Sequence, residues 1–227
     1  MLVELPLMPL NAVLFPGMPM PLVVFEERYL QMVRRCREAD RPFGVALIRE
    51  GQEVGGPAVP HEVGTTASIV AVESLEGHAL QVMAVGQERF RLVALAQAEP
   101  YLVGQVEILE EDSAASAPHE LYTELRELFG DYLRVVLELL GQPNAEMTLP
   151  DNPVKLSYMI AAHLTSPLEV RQQLLEMDSL RERLFYEKLL LKREDADYRL
   201  ILSARHRYDE FMQSLGDAPD ASVFSAN

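Results

Sequence analysis

Few side chains in this sequence have the types and spacing that catalysis requires. A nucleophilic serine needs a base within hydrogen-bond reach, and Lys155 and Ser157 are close in sequence. Both lie in a predicted helix, where side chains two positions apart do not face each other. Ser157 also lacks the Gly-x-Ser-x-Gly surroundings of a hydrolase nucleophile. We therefore predict no catalytic residue.

The sequence pattern contains no site for a phosphate group or a metal ion. A phosphate-binding loop needs glycines followed by Lys and then Ser or Thr, and no Gly-Lys pair occurs. The five histidines are widely separated, without a His-Glu-x-x-His pattern. The single cysteine, Cys36, excludes a multi-cysteine zinc site and is predicted to pack inside the fold. We predict neither a cofactor nor a metal.

A proline-rich segment at 14–21 is the best candidate for a binding surface. Prolines lower the entropy lost when a loop becomes ordered, and methionine side chains adapt to different apolar partners. We predict that Phe15, Met18 and Met20 border an apolar patch that binds extended polypeptide. A free sheet edge nearby would add backbone hydrogen bonds. The alternative is that the methionines close the barrel end or pack on the helical domain.

Charge and hydropathy narrow the classes of partner. The 227 residues include 20 Lys and Arg against 35 Asp and Glu, a formal net charge of −15. Neither residues 1–110 nor the remainder is basic, so phosphate backbones are repelled and no nucleic-acid partner is expected. No apolar run approaches the ~20 residues of a membrane span, and no charged leader precedes an apolar stretch. We expect a cytoplasmic protein without membrane contact.

The first 110 residues have the pattern of a β-rich domain. Short β-branched runs recur every 8–12 residues or so between Gly and Pro, as in antiparallel barrels. Strands are predicted at 22–25 (buried), 43–48, 65–72, 79–85, 89–95 and 101–109, with turns at 76–77 and Gly86 and a surface loop at 51–60. The run 26–39 has the apolar spacing of a helix instead; its apolar residues are Tyr29, Leu30, Met32, Val33 and Cys36.

After a polar linker at 110–116 the apolar period becomes helical. A first helix ends before Gly141, Asn152 and Pro153 start a second, and 166–169 resembles a capping box for a third. Asp178 can cap a fourth helix, which continues to 215 unless the acids at 194–197 break it. We predict a β-rich domain at 1–112, an α-helical domain at 117–215 and a flexible tail at 216–227.

A series of short motifs resembles the N-terminal domain of Lon proteases over roughly residues 2–190. Each motif is weak alone, but their order along the chain is specific. They are Leu5-Pro6-Leu7, Leu14-Phe15-Pro16-Gly17, Pro21-Leu22, Phe25-Glu26-Glu27-Arg28-Tyr29, Val63-Gly64-Thr65-Thr66-Ala67-Ser68-Ile69, Val85-Gly86-Gln87-Glu88-Arg89-Phe90-Arg91-Leu92, Pro100-Tyr101, Ala161-Ala162-His163-Leu164 and Leu174-Leu175-Glu176.

The resemblance implies an α+β fold, a PUA-like pseudo-barrel followed by a helical bundle with a long final helix. In Lon this region helps to engage substrate polypeptides and supports assembly. The resemblance therefore implies a stand-alone, non-catalytic module for unfolded polypeptide or a partner protein, without Lon's ATPase and protease domains. Two alternatives stay open: RNA binding, because PUA-like barrels elsewhere hold RNA, and an enzyme with an unrecognised site. The oligomeric state is also open, a homodimer included.

Overall fold

The computed structural model describes residues 2–56, 58–97, 100–145 and 147–216. The described residues form seven strands followed by four helices, with a further helix inserted after the second strand. This order confirms the α+β class, a β-rich part followed by a helical part. Of the tail predicted at 216–227, the structure describes Gly216 alone, which ends the last helix.

The strands close into a barrel. They are β1 (Leu2–Leu10), β2 (Pro19–Val24), β3 (Phe43–Gly51), β4 (Ala58–Pro60), β5 (Val63–Ser74), β6 (Leu80–Gln97) and β7 (Leu102–Ile108). The sheet order is β1-β7-β6-β5-β3, and β3 pairs with β1 in parallel, which closes the sheet on itself. β2 pairs with the first part of β6 and β4 with the end of β3, so both lie at the margins of the barrel.

β6 is one strand of 18 residues where the sequence pattern predicts two strands and a turn at Gly86. Gly86 instead continues the strand and allows another backbone to approach, since a Cβ there would lie 2.3 Å from the carbonyl oxygen of Phe15. The Gly17 N–H donates to the Gly86 carbonyl (2.9 Å), and the Gly86 N–H donates to the Met18 carbonyl (3.0 Å). The glycine thus holds the loop before β2 against β6.

The inserted helix, α1 (Glu27–Glu38), packs its predicted apolar side into the barrel. The buried residues are those of the predicted stripe: Tyr29, Leu30, Met32, Val33 and Cys36. Burial raises the pKa of the Cys36 thiol to about 11, so the sulfur is protonated and unreactive at neutral pH. The prediction that Cys36 packs inside the fold is confirmed.

The helical part consists of α2 (His119–Leu139), α3 (Pro153–His163), α4 (Leu168–Glu176) and α5 (Leu180–Gly216). Two predicted helix ends are confirmed. Gly141 has a φ of 74° just past α2, a conformation that suits a terminating glycine. The Asn152 side chain accepts hydrogen bonds from the N–H groups of Val154 and Lys155 at the start of α3.

Two predicted caps are wrong because their side chains bind elsewhere. Ser166 donates its hydroxyl hydrogen to Glu194 (2.7 Å) and makes no cap on α4. At the start of α5, Ser179 rather than Asp178 accepts a hydrogen bond from the Glu182 N–H (3.3 Å).

Helix α5 is continuous through 194–197, so the long final helix is confirmed and the alternative of a break there is wrong. The acid that opens this stretch, Glu194, is bound by the connection between α3 and α4. Its carboxylate accepts hydrogen bonds from the Thr165 N–H (2.9 Å), the Thr165 hydroxyl (3.1 Å) and the Ser166 hydroxyl. The helix tolerates these acids because one of them accepts hydrogen bonds from the donors of the neighbouring turn.

The barrel and the helices share one apolar core. Phe15, Leu47 and Val63 of the barrel belong to the same cluster of buried side chains as Phe129 of α2 and Leu184 of α5. A separate cluster lies inside the barrel beneath α1. The two parts are therefore packed on each other through the first cluster.

Candidate functional site

The outward side of β2 is apolar along its whole length. Side chains alternate between the two faces of a strand, and Met20 and Val24 point into the barrel core. The side chains on the opposite face of the strand are all exposed and all apolar. They are Pro19, Pro21, Val23 and, just after the strand, Phe25. Val23 is 62% exposed and Phe25 55%, although the sequence pattern predicts them in a buried strand. Solvent-facing strand positions are usually polar.

The apolar surface continues onto β6. Pro19 lies opposite Val85 and Pro21 opposite Met83, and both β6 side chains are half-buried. Directly opposed residues of an antiparallel pair share a face. We call the combined surface the β2 face; its six residues are Pro19, Pro21, Val23, Phe25, Met83 and Val85. A contiguous exposed apolar surface of this kind marks an interaction site more often than a structural need.

The open edge of β2 is poor in hydrogen-bond donors. Among the described residues, β2 pairs with β6 alone. Because the Met18 carbonyl accepts from Gly86 on β6, the alternation of backbone groups turns those of Pro19 and Pro21 towards the open edge. Proline has no N–H, which limits pairing with an added strand. The β2 face is therefore suited to apolar side-chain contact.

A cleft between the barrel and the helices begins at the Pro19 end of the β2 face. Its volume is about 650 Å³, and it lies between the 16–19 loop, residues 85–87 of β6 and one side of α3. Its apolar lining includes Met18, Val154, Met159 and Ala162, and its polar lining Glu111, Lys155 and His163. This size and mixed lining are typical of a site that accepts an apolar group and orients it by a few polar contacts.

Of the three residues predicted to border the binding surface, Met18 alone lines this cleft. Phe15 is completely buried and fills the space between barrel and helices, with its ring 6.3 Å from the Tyr158 ring and 5.7 Å from the Arg171 guanidinium. Met20 is buried because its position on β2 faces the barrel core. The expectation that Phe15 and Met20 border an exposed patch is corrected accordingly, and binding at Met18 stays a prediction.

Arg89 of β6 is completely buried and joins the two walls of the cleft. Its guanidinium donates to the Glu111 carboxylate (2.8 Å) and to the carbonyls of Leu175 (2.9 Å) and Met177 (3.0 Å) at the C-terminal end of α4. Glu111 also accepts a hydrogen bond from the Tyr158 hydroxyl (2.6 Å) on α3. The segment predicted as a polar linker is therefore anchored at Glu111 to both parts of the molecule.

A second buried arginine extends this network into the helices. Arg183 of α5 donates to the Ser157 hydroxyl (2.8 Å), which in turn donates to the Glu187 carboxyl (2.8 Å). Complete burial raises the pKa of Glu187 to about 8, because desolvation outweighs the opposing effects of the Arg183 charge and the Ser157 hydrogen bond. Its second oxygen has no hydrogen-bond partner among the described residues. Ser157 is thus occupied inside the bundle, while Lys155 lines the cleft.

Sequence reasoning missed these charged residues because their partners are distant in the sequence. The sequence offered one signal for a buried charged network, at Arg183 and Glu187. They lie among the apolar positions of α5, in register with Leu180, Leu184 and Leu191, all of which are buried. Charged residues on an apolar helix stripe indicate a buried, paired network.

The described residues contain no group of three His, Cys, Asp or Glu side chains close enough to hold a metal ion. Over the same residues, none of the helices has an apolar stretch that could cross a membrane.

The model of the substrate-binding domain of the ATP-dependent protease La (LON) matches residues 4–193. The chain belongs to the Lon substrate-binding domain family. The match includes the barrel, the cleft and α5 as far as its middle, and it confirms the resemblance carried by the motif series. Both strands of the β2 face lie within it.

Curated Lon proteases match this Lon-family chain over most of its length. The Lon protease of Syntrophus aciditrophicus is 30% identical over 187 residues, covering 79% of this chain and 24% of the relative. Lon protease 2 of Herpetosiphon aurantiacus is 33% identical over 198 residues, covering 84% and 24%. The chain spans about a quarter of the length of these relatives.

Two solved structures share the fold. The Lon N-terminal domain protein from Xanthomonas campestris has a TM-score of 0.63 at 31% identity, covering 83% of this chain and 97% of that one. The N-terminal domain of a Lon protease from the Mycobacterium avium complex has a TM-score of 0.61 at 20% identity, covering 84% and 98%. The second likeness is evidence for the fold alone.

Proposed function

We propose that this Lon-family chain is a non-catalytic recognition module that binds unfolded polypeptide along the β2 face. The observation that carries the proposal is a strand whose solvent side consists of Pro19, Pro21, Val23 and then Phe25. The family model describes the substrate-binding domain of a protease, and protease substrates are polypeptides. Both considerations support the same class of ligand.

An extended segment fits the dimensions of this surface. The six residues of β2 span about 20 Å, the length of six residues of an extended ligand. Alternate apolar side chains of the segment would contact the β2 face, and one would enter the cleft beside Met18. Apolar contact has no strict directional demand, so many sequences can bind, and the flexible thioethers of Met18 and Met83 adapt to each.

The absence of catalysis is part of the proposal. Ser157, the serine with a nearby lysine, donates its hydroxyl hydrogen to Glu187 and accepts one from Arg183. It is completely buried, so no substrate carbonyl reaches it. The domain limits 1–112 and 117–215 and the cytoplasmic location also remain predictions from the sequence, and the oligomeric state stays open, a homodimer included.

The test replaces two exposed apolar side chains of the β2 face together, Val23→Ser and Phe25→Ser. The ligand is a reduced, carboxymethylated globular protein, which is permanently unfolded, and its affinity is measured by fluorescence anisotropy. We expect affinity to fall about tenfold because two apolar contacts are lost. The melting temperature should stay within about 2 °C, since surface substitutions change stability little.

A matched control uses two equally exposed apolar residues on the distal part of β6. Val93 is 55% exposed and Leu95 50%, so Val93→Ser with Leu95→Ser removes similar apolar area away from the β2 face. We expect this control to bind like the unmodified chain. Equal loss in both double variants, or unchanged binding in the first, would contradict the proposal.

A further inference from the structure

A second groove lies where β1 and β3 separate. The two strands pair in parallel from Leu7 and Gly44 onwards. Before that point, the segment from Leu2 to Pro6 pairs with β7 on one side. Among the described residues no strand pairs with its other side. This segment therefore presents an open strand edge; Pro6 has no N–H to donate, but the residues before it can pair with an extended chain.

The open edge faces the C-terminal end of α1 across an apolar groove of about 540 Å³. Leu5 and Cys36 lie at its base and are buried, whereas Val3 is 40% exposed at its rim, with Pro42 on the opposite wall. The volume lies within the range of about 300–1,000 Å³ that is common for ligand sites. The groove can therefore hold an apolar side chain beside the strand edge.

Two arginines without acidic partners line the same groove, Arg35 and Arg41. Arg35 donates to the Tyr101 hydroxyl (3.2 Å), and within the described part of the chain neither guanidinium forms an ion pair. The chain has a formal net charge of −15, so a groove lined by two arginines differs in sign from the molecule as a whole. One acid, Glu4, also lines the groove, so the lining carries a net positive charge.

We propose that this groove binds the C-terminus of a polypeptide. The terminal carboxylate is held by Arg35 and Arg41, the last side chain packs over Leu5 and Cys36, and the backbone pairs with the open edge of β1. An internal segment supplies an extended backbone and an apolar side chain but no terminal carboxylate, and a small anion supplies the charge alone. A chain terminus matches all three features, a combination known from strand-addition and carboxylate-capture sites.

This inference rests on the proposed function, since it takes polypeptide as the ligand. The test uses a fluorescein-labelled octapeptide that ends in Ala-Val-Leu, either with a free carboxylate or with a C-terminal amide, and the full chain. We expect the free acid to bind about tenfold more tightly than the amide, because charge-assisted hydrogen bonds are lost on amidation.

Three single variants separate the charge effect from other causes. Arg41→Gln should abolish most of the difference between acid and amide. Glu4→Gln should strengthen binding of the acid severalfold and leave the amide unchanged, because it removes the like charge in the groove. Arg37→Gln is the matched control, since Arg37 lies in the last turn of α1, close to Arg41 in sequence, but lines a different groove, with Val72 and Leu80.

Equal binding of acid and amide, no binding of either peptide, or equal losses in Arg41→Gln and Arg37→Gln would overturn the inference. The melting temperature of each variant confirms that it is folded. The double variant Val23→Ser and Phe25→Ser should keep the preference for the free acid. If that variant loses binding to unfolded protein while no acid preference exists, the β2 face stands and the C-terminal groove fails.

Discussion

The network that runs from the barrel into the helices buries ionisable side chains, whereas the β2 face exposes apolar ones. Arg89, Arg183 and Glu187 are completely buried, while Val23 is 62% exposed. Both placements are unfavourable when taken alone. The comparison shows that the fold uses directional hydrogen bonds to fix the two parts on each other and keeps non-directional apolar contact for the surface.

The two regions should therefore respond differently to substitution. Each buried ionisable side chain has specific partners, so its removal leaves carbonyl, carboxylate or hydroxyl groups unpaired inside the protein. On the β2 face, a polar substitution leaves no buried group behind. Changes in the network should lower stability, and changes on the β2 face should lower binding at nearly constant stability.

Arg89→Gln should have the largest effect. The variant leaves the carbonyls of Leu175 and Met177 and the Glu111 carboxylate without their shared donor. Breaking a buried pair in this way typically costs about 3–5 kcal/mol. Urea unfolding followed by circular dichroism measures this loss. A loss below about 1 kcal/mol would show that the buried network is not what fixes the two parts.

The elements that could be predicted from the sequence are those whose cause is local. The five-residue stripe of α1, the Asn152 cap and the Gly141 stop all depend on neighbours within a few residues, and the structure confirms each. The predicted turn at Gly86 is wrong, because that glycine serves an approach of the Phe15 carbonyl, which is far away in the sequence. Such contacts leave no local pattern.

The sequence predicted which segment contains the candidate site, but not which side chains of that segment face solvent. Proline and methionine in 14–21 indicated a surface, and Met18 does line the cleft. Which strand register faces solvent depends on how β2 pairs with β6, and this pairing puts Met20 inside and Val23 outside. A shift of one residue would exchange the two sets, so the composition of the segment cannot distinguish them.

Glu187→Gln tests the same network through its pH dependence. The pKa of Glu187 is about 8 in the folded chain against 4.5 for an unperturbed carboxyl. Between these values the folded state holds a proton that the unfolded state releases, so stability falls as pH rises through this window. The glutamine side chain of the variant cannot ionise, and it keeps an oxygen that accepts from the Ser157 hydroxyl.

The expected result is a difference in slope between the two chains when the free energy of unfolding is plotted against pH. From pH 5 to pH 8, the unmodified chain should lose stability relative to the variant by on the order of 3 kcal/mol. Urea unfolding at several pH values measures both curves. Parallel curves would contradict this expectation. They would mean that Glu187 is ionised in the folded protein over this pH range, and that its burial in the network does not raise its pKa.

Arg91→Gln should have the smallest effect on the free energy of unfolding. Its comparison with Arg89→Gln tests whether burial makes a charged side chain important for stability. Arg91 lies two residues after Arg89 on the same strand and pairs with the same acid, Asp178, at 3.6 Å against 3.3 Å for Arg89. The two arginines differ in exposure and in the hydrogen bonds that burial gives: the Arg91 side chain is 43% exposed, whereas that of Arg89 is not exposed and also binds Glu111 and two backbone carbonyls. Exposed ion pairs contribute about 0–1 kcal/mol, so we expect a loss below about 0.5 kcal/mol that disappears when salt is raised from about 0.1 M to 1 M. Urea unfolding at both salt concentrations measures the loss. A salt-independent loss equal to that of Arg89→Gln would show that the ion pair with Asp178, and not burial, accounts for the stability that Arg89 contributes.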